Sequence, residues 1–223
     1  MTLSIFDKVI ACAEKIEEHF KRTGELTEQP IIQGIPISDK IYSSNRYRRA
    51  HISIVDARET KKLWLMHVTV FPHYNDASPI YGFDIVAGPN KVSGGFHDFS
   101  NSGDPVHPMC RWFANKVAGF DWNKPRELPE WARHIFSNHM VAIGAVDSNE
   151  LDEFIGIGLE SLEFYLATVG DTQQSGSDYH MAQNRYCHYQ KQNPHTPKVM
   201  LNLGMEKQQV DRFMRDILFP EAV

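Results

Sequence analysis

His67 and Asp84 are the residues of this chain whose types and spacing best suit proton transfer. Each stands in the middle of apolar, strand-like sequence, LWLMHVTVFP (63–72) and PIYGFDIVAG (79–88). A carboxylate taken out of water needs a partner or must keep its proton, so an aspartate in such a run requires a reason. Side chains two apart in a strand share a face. His51, Ser53 and Val55 therefore share a face of YRRAHISIVDA (47–57). Leu65, His67, Thr69 and Phe71 do so in the next run, and Ile80, Gly82, Asp84 and Val86 in the third. If the three strands are neighbours, His51, His67 and Asp84 converge on one patch of sheet. Gly82 and Gly94 would leave room above it for a large planar ligand. The residues alone leave two readings open: a proton-delivering pair, or a satisfied core pair that only joins two strands.

Other chemistries find less support. His180, Cys187, His188 and His195 have no standard zinc spacing and lack nearby acidic partners, so no metal site is expected. Cys12, Cys110 and Cys187 are odd in number and widely separated, with no CxxC, which argues against a disulfide framework or an iron–sulfur site and for a reducing cytosol. Gly88-Pro89 and Gly94-Gly95 are not a dinucleotide fingerprint, and there is no GxSxG elbow or phosphate-binding loop. Asp98 reads as a strand-end residue with a structural role. A net charge of −5 argues against nucleic acid. Arg46-Tyr47-Arg48-Arg49 and Lys61-Lys62 are local basic patches, either solvated strand ends or sites for an acidic protein or a substrate's carboxylates. The N-terminus lacks a signal-peptide core and no apolar run reaches spanning length, so a soluble, unexported protein is expected, with no membrane partner.

The elements that must position these residues follow from periodicity. With 223 residues, 42% of them hydrophobic, a single domain (1–223) can build a full core. Ile5, Phe6, Val9, Ile10, Ala13, Ile16 and Phe20 recur at helical spacing over 4–22, and Ser4 with Asp7 forms a capping-box pattern. Gly24 to Pro36 reads as loop with a short strand. From Tyr42 the period changes to two, and four successive strands joined by short connections predict an antiparallel meander. Helical segments follow near 106–118 and 129–136, then a strand, HMVAIGAV (139–146). A long helix begins at a Ser148 cap and ends at Gly170. Residues 176–219 read as helical except for a break at Asn193-Pro194-His195-Thr196-Pro197. The fold class expected is α+β, a three-layer α/β/α sandwich around a central antiparallel sheet.

Beyond these patterns, YRRAH (47–51), MHVTVFP (66–72), YGFDIVAGP (81–89), VSGGFHDFS (92–100), RELPEWARHIFS (126–137), RYCHYQ (185–190) and RFMRDILF (212–219) resemble the ferredoxin-dependent bilin reductases. The resemblance runs from about residue 42 to the C-terminus and is strongest to the phycocyanobilin:ferredoxin oxidoreductase subgroup. It implies biliverdin IXα bound between the sheet and the C-terminal helices. It also implies no tightly bound cofactor, metal or flavin, with electrons arriving singly from reduced ferredoxin, an acidic donor. By motif, Asp84 matches the family's proton-donating aspartate, His67 the histidine that bonds it and the bilin lactam, and His51 a second-layer histidine. Asn193, His195 and Val199 fall where the family contacts the pigment, and Arg48 and Arg49 supply cations for propionates or for ferredoxin.

One departure stands out. Phycocyanobilin-forming members carry a glutamate two residues after the His51-type histidine, an acid that helps protonate the D-ring vinyl group. Here that position is Ser53, and Asp56 points to the opposite face. A hydroxyl does not readily deliver a proton at neutral pH. Relatives from marine phage instead form phycoerythrobilin by reducing the C15–C16 bridge and the A-ring diene, and the missing acid points to that four-electron reaction. Phycocyanobilin formation and a non-catalytic bilin carrier are the alternatives. A monomer in the cytoplasm of a cyanobacterial or phage-infected cell is expected.

Overall fold

The computed structural model describes residues 3–104, 106–145 and 147–222. Helix α1 (Ile5–Thr23) starts at the Ser4/Asp7 capping box and buries Val9, Cys12, Ala13, Ile16 and Phe20, as its period requires. Seven strands follow: β1 (Glu25–Glu28), β2 (Ile37–Ser43), β3 (Tyr47–Ala57), β4 (Leu63–Pro72), β5 (Ile80–Ala87), β6 (Val92–Ser100) and β7 (Val141–Ile143). They pair antiparallel in strict chain order. A four-residue helix, α2 (Arg58–Lys61), makes the β3–β4 connection, and Lys62 turns through φ 53° after it.

The meander expected from four strands is thus extended at both edges. Strand β2 was hidden by the polar residues of ISDKI and the Gly34–Pro36 turn before it. At the other edge only 141–143 of the segment 139–146 pairs with β6, and Val146 lies outside the described residues.

Helices α3 (Pro108–Val117) and α4 (Ser148–Thr168) join α1 on one face of the sheet, against Met66, Val68, Tyr81, Phe83 and Ile85. Helix α4 approaches closely because Gly158 faces the sheet: a methyl there would sit 2.4 Å from the Phe83 ring. Its cap is Asp147, which accepts from the amides of Asn149 and Glu150, and not the expected Ser148. Gly170, at φ +91°, takes the left-handed position just past the helix end. The other face carries α5 (His180–Gln190), α6 (His195–Asn202), α7 (Lys207–Arg212) and a π-helical turn (Phe213–Leu218), over Val55, Phe71 and Ile80. Helix α6 starts at His195, so the break is shorter than the prolines suggested. Pro197 lies in the first turn, where its missing N–H breaks no helical bond. The result is the expected α+β sandwich.

Candidate active site

The register of the sheet lines up Asp39, Ser53, His67, Asp84 and Phe96 as successive partners from β2 to β6. The adjacent row of the same face is Ile41, His51, Thr69, Gly82 and Asp98. His67 and Asp84 therefore meet because they occupy opposite positions of one antiparallel pair, where side chains stand side by side. His67 Nδ1 lies 2.7 Å from Asp84 Oδ1. The imidazole is mostly covered and the carboxyl is 35% exposed, so the aspartate is the member that faces an incoming molecule.

A narrow cleft with about 20 Å³ of cavity volume opens over the pair. Its floor is His67, Gly82, Asp84, Phe96 and Asp98; its wall is Phe136 and Met140 from the loop before β7, with Tyr186 and Gln190 from α5. Gly82 does leave room, and Tyr186 Oη stands over it, 3.6 Å from where a methyl would be. Gly94 does not: a methyl there would meet the Phe96 ring at 3.0 Å and Arg126 Nη1 at 3.1 Å, so this space is filled. Asp98 is fully buried and accepts from Ser100 Oγ at 2.7 Å, and from the amide (2.9 Å) and hydroxyl of Ser137, which pins the loop bearing Phe136. Burial raises its pKa against those hydrogen bonds.

His51 converges on the same patch but stands outside the lining of the cleft. It is fully buried, its ring centroid is 6.2 Å from that of His67, and its Nε2 is 2.9 Å from Asp39 Oδ1. Burial lowers its pKa to about 4 despite the Asp39 hydrogen bond. Ser53, 2% exposed in the register between Asp39 and His67, brings no carboxylate to the cleft.

Arg48 and Arg49 are engaged inside the protein. Arg48 lies over the rings of Phe71 and Tyr74, at 4.6 and 4.5 Å, and donates to Gln183 Oε1 at 2.7 Å. Arg49 is buried, donates to the Ile217 carbonyl, and has its pKa lowered by burial to about 10. Asn193, His195 and Val199 lie at the α5–α6 turn and on α6, and Asn193 Oδ1 accepts from the His195 amide at 2.9 Å. None of the three lines the cleft, whose α5 wall is built one turn earlier by Tyr186 and Gln190. Among the described residues, no group of three or more His, Cys, Asp or Glu is placed to hold a metal, and no helix is long and apolar enough to cross a membrane.

Sequence reasoning missed Asp39, Tyr186, Gln190 and Phe219. The parity of Ile37, Asp39 and Ile41 was the available signal for the first. The others sit in the motifs RYCHYQ and RFMRDILF, which marked the segments without saying which side chains turn inward.

The model of one protein family, the ferredoxin-dependent bilin reductases, matches residues 8–220. The chain belongs to this family. Among curated proteins the reductase is 30% identical over 191 residues to phycocyanobilin:ferredoxin oxidoreductase of Prochlorococcus marinus strain MIT 9313, covering 83% of this chain and 71% of that one. It is 31% identical to the enzyme of the same name from strain MIT 9303, at the same coverage. Among solved structures it superposes on a protein called PcyX with a TM-score of 0.72 and 25% identity, covering 96% of this chain and 99% of that one. It also superposes on phytochromobilin synthase from tomato in complex with biliverdin, with a TM-score of 0.69 (95% of this chain, 81% of that one). At 11% identity, that likeness concerns the fold alone. The reductase is thus an oxidoreductase, and its sandwich is the fold of these relatives.

Proposed function

We propose that the chain, as a single domain spanning 1–223, reduces biliverdin IXα to phycoerythrobilin. Four electrons from reduced ferredoxin and four protons add across the C15–C16 bridge and the A-ring diene, through radical intermediates. The observation that carries this reading is the pairing of a half-open Asp84, held by His67, with a serine at position 53, where a second acid would be needed for the D-ring vinyl group. Each one-electron reduction makes the bound pigment more basic. Asp84, backed by His67, is the group on the cleft floor able to hand it a proton, and His67 reloads or steadies the carboxyl. His51 and Ser53 would border the pigment on the same face of the sheet; Asn193, His195 and Val199 would reach its far edge only once the C-terminal layer moves outward, and Arg48 and Arg49 would have to leave Gln183 and Ile217 to meet its propionates or ferredoxin.

At about 20 Å³ the cavity over the pair is far below the usual range of small-molecule sites, about 300–1,000 Å³, so an open-chain tetrapyrrole needs the C-terminal layer to move outward. The reaction suits a monomer in the cytoplasm of a cyanobacterial or phage-infected cell.

The test is to mix the protein with biliverdin anaerobically, add a ferredoxin reducing system, follow the visible spectrum and chromatograph the product. Phycoerythrobilin supports the reading. Phycocyanobilin, the product named in the curated relatives, would overturn the regiochemistry, and a spectral shift on mixing with no later change would mean a carrier.

A further inference from the structure

Asp39 enters none of the chemistry above, yet it is completely buried two strands from His67. Its Oδ1 is 2.9 Å from His51 Nε2, and both side chains are 0% exposed. Its Oδ2, together with His51 Nδ1, Thr69 Oγ1 and His67 Nε2, is a buried polar atom without a hydrogen-bond partner in the protein. These four atoms belong to adjacent positions of the two rows that contain the site. Buried polar groups in proteins are ordinarily paired, so four unpaired ones at neighbouring positions call for an explanation. Asp39 also stands beside Ser53 in the register, so the acid missing from β3 has a counterpart on the neighbouring strand.

We propose that Asp39 is a positioning residue for proton delivery: its hydrogen bond fixes the Nε2–H tautomer of His51, and its charge lets His51 accept a proton at Nδ1 during pigment reduction. The inference rests on the bilin-reducing function proposed above. A carboxylate on one ring nitrogen leaves the other bare and stabilises the imidazolium once that nitrogen is protonated. The bare Nδ1 is then the acceptor through which His51 exchanges protons with the His67–Asp84 pair beside it on the same face. Each double bond reduced takes two electrons, from two reduced ferredoxins, and two protons, with nothing released from the pigment.

The charged and titratable neighbours of His51 are Asp39 from β2, Arg49 from its own strand and His67 from β4. Arg49 and His67 oppose its protonation, burial opposes it most, and Asp39 alone favours it. Because Asp39 is sealed from the cleft, it does not protonate the pigment itself, which keeps its role compatible with the absence of vinyl reduction.

Nitrogen-15 NMR of the histidine rings in the full-length, unmodified protein should find His51 as the Nε2–H tautomer; an Nδ1–H tautomer overturns the proposal, and this measurement needs no variant to fold. In Asp39→Asn, biliverdin affinity should stay within about twofold of wild type. The first pigment radical should decay at least tenfold more slowly, and the pH profile of that decay should move to lower pH. A purely structural Asp39 would lower thermal stability and leave that profile in place, and an unchanged radical lifetime would sink the assignment. Failure of the unmodified chain to reduce biliverdin would instead sink the underlying function.

Discussion

The ring of Phe219 stands edge-on to that of His67, with centroids 5.4 Å apart, so the end of the chain closes over the middle of the sheet. The tail is tied down on both sides. Asn184 Nδ2 donates to the Ala222 carbonyl at 3.0 Å and Asn184 Oδ1 accepts from the Ala222 amide at 2.7 Å, while Arg49 holds the Ile217 carbonyl. If this layer must open for the pigment, the closed state weakens apparent affinity by the fraction of molecules that are open. Asn184→Ala removes two hydrogen bonds worth about 1 kcal/mol each. Biliverdin association by stopped flow should become faster by up to about thirtyfold, the factor that about 2 kcal/mol corresponds to; an unchanged rate would show that the pigment enters without moving the tail.

Asp84→Asn keeps the size of the side chain and a partner for His67 while removing the transferable proton. Pigment binding should persist, but reduction should stall at a radical visible by electron paramagnetic resonance, with turnover down about 10²–10⁴-fold. Turnover at the wild-type rate would remove Asp84 from the mechanism.

Ser53→Glu introduces an acid in the register between Asp39 and His67. Burial next to Asp39 should keep this carboxyl protonated, at a stability cost of about 1–3 kcal/mol. Part of the product should shift toward phycocyanobilin, and Ser53→Gln, equal in size but unable to give a proton, should not produce the shift. Identical products from both variants would assign regiochemistry to pocket shape.

Acid should destabilise the fold well above the carboxylate range. Burial lowers the pKa values of His51 and His97 to about 4 in the native state, whereas both return to about 6.5 on unfolding. The unfolded chain therefore binds more protons between those values, and stability falls as pH drops from about 6.5 to 4, by up to about 3 kcal/mol per histidine. Asp98, raised by burial, acts in the opposite sense, losing stability as pH rises through its native pKa. Urea denaturation across this range should show the loss. His97→Phe should flatten it, since His97 packs at 4.9–5.3 Å from the rings of Tyr81, Phe83 and Phe113. An unchanged slope in that variant would mean His97 is already protonated in the folded protein.

Strand periodicity and parity carried much of this protein. The alternation in β3, β4 and β5 is local, and one face is buried, so a slip of one residue would turn every apolar side chain outward. That constraint alone placed His51, His67 and Asp84 on a common face, and the motifs carried by those strands identified the family. Tertiary structure decided what no local pattern encodes. Asp39 reaches His51 only because β2 pairs with β3, and its polar neighbours in sequence obscured the strand. The rings over the reacting pair, Tyr186 and Phe219, come from C-terminal segments whose inward side depends on how α5 and the π-helical turn pack. Arg48 and Arg49 read as surface cations, but contacts more than a hundred residues away in sequence draw them inward, to Gln183 and Ile217.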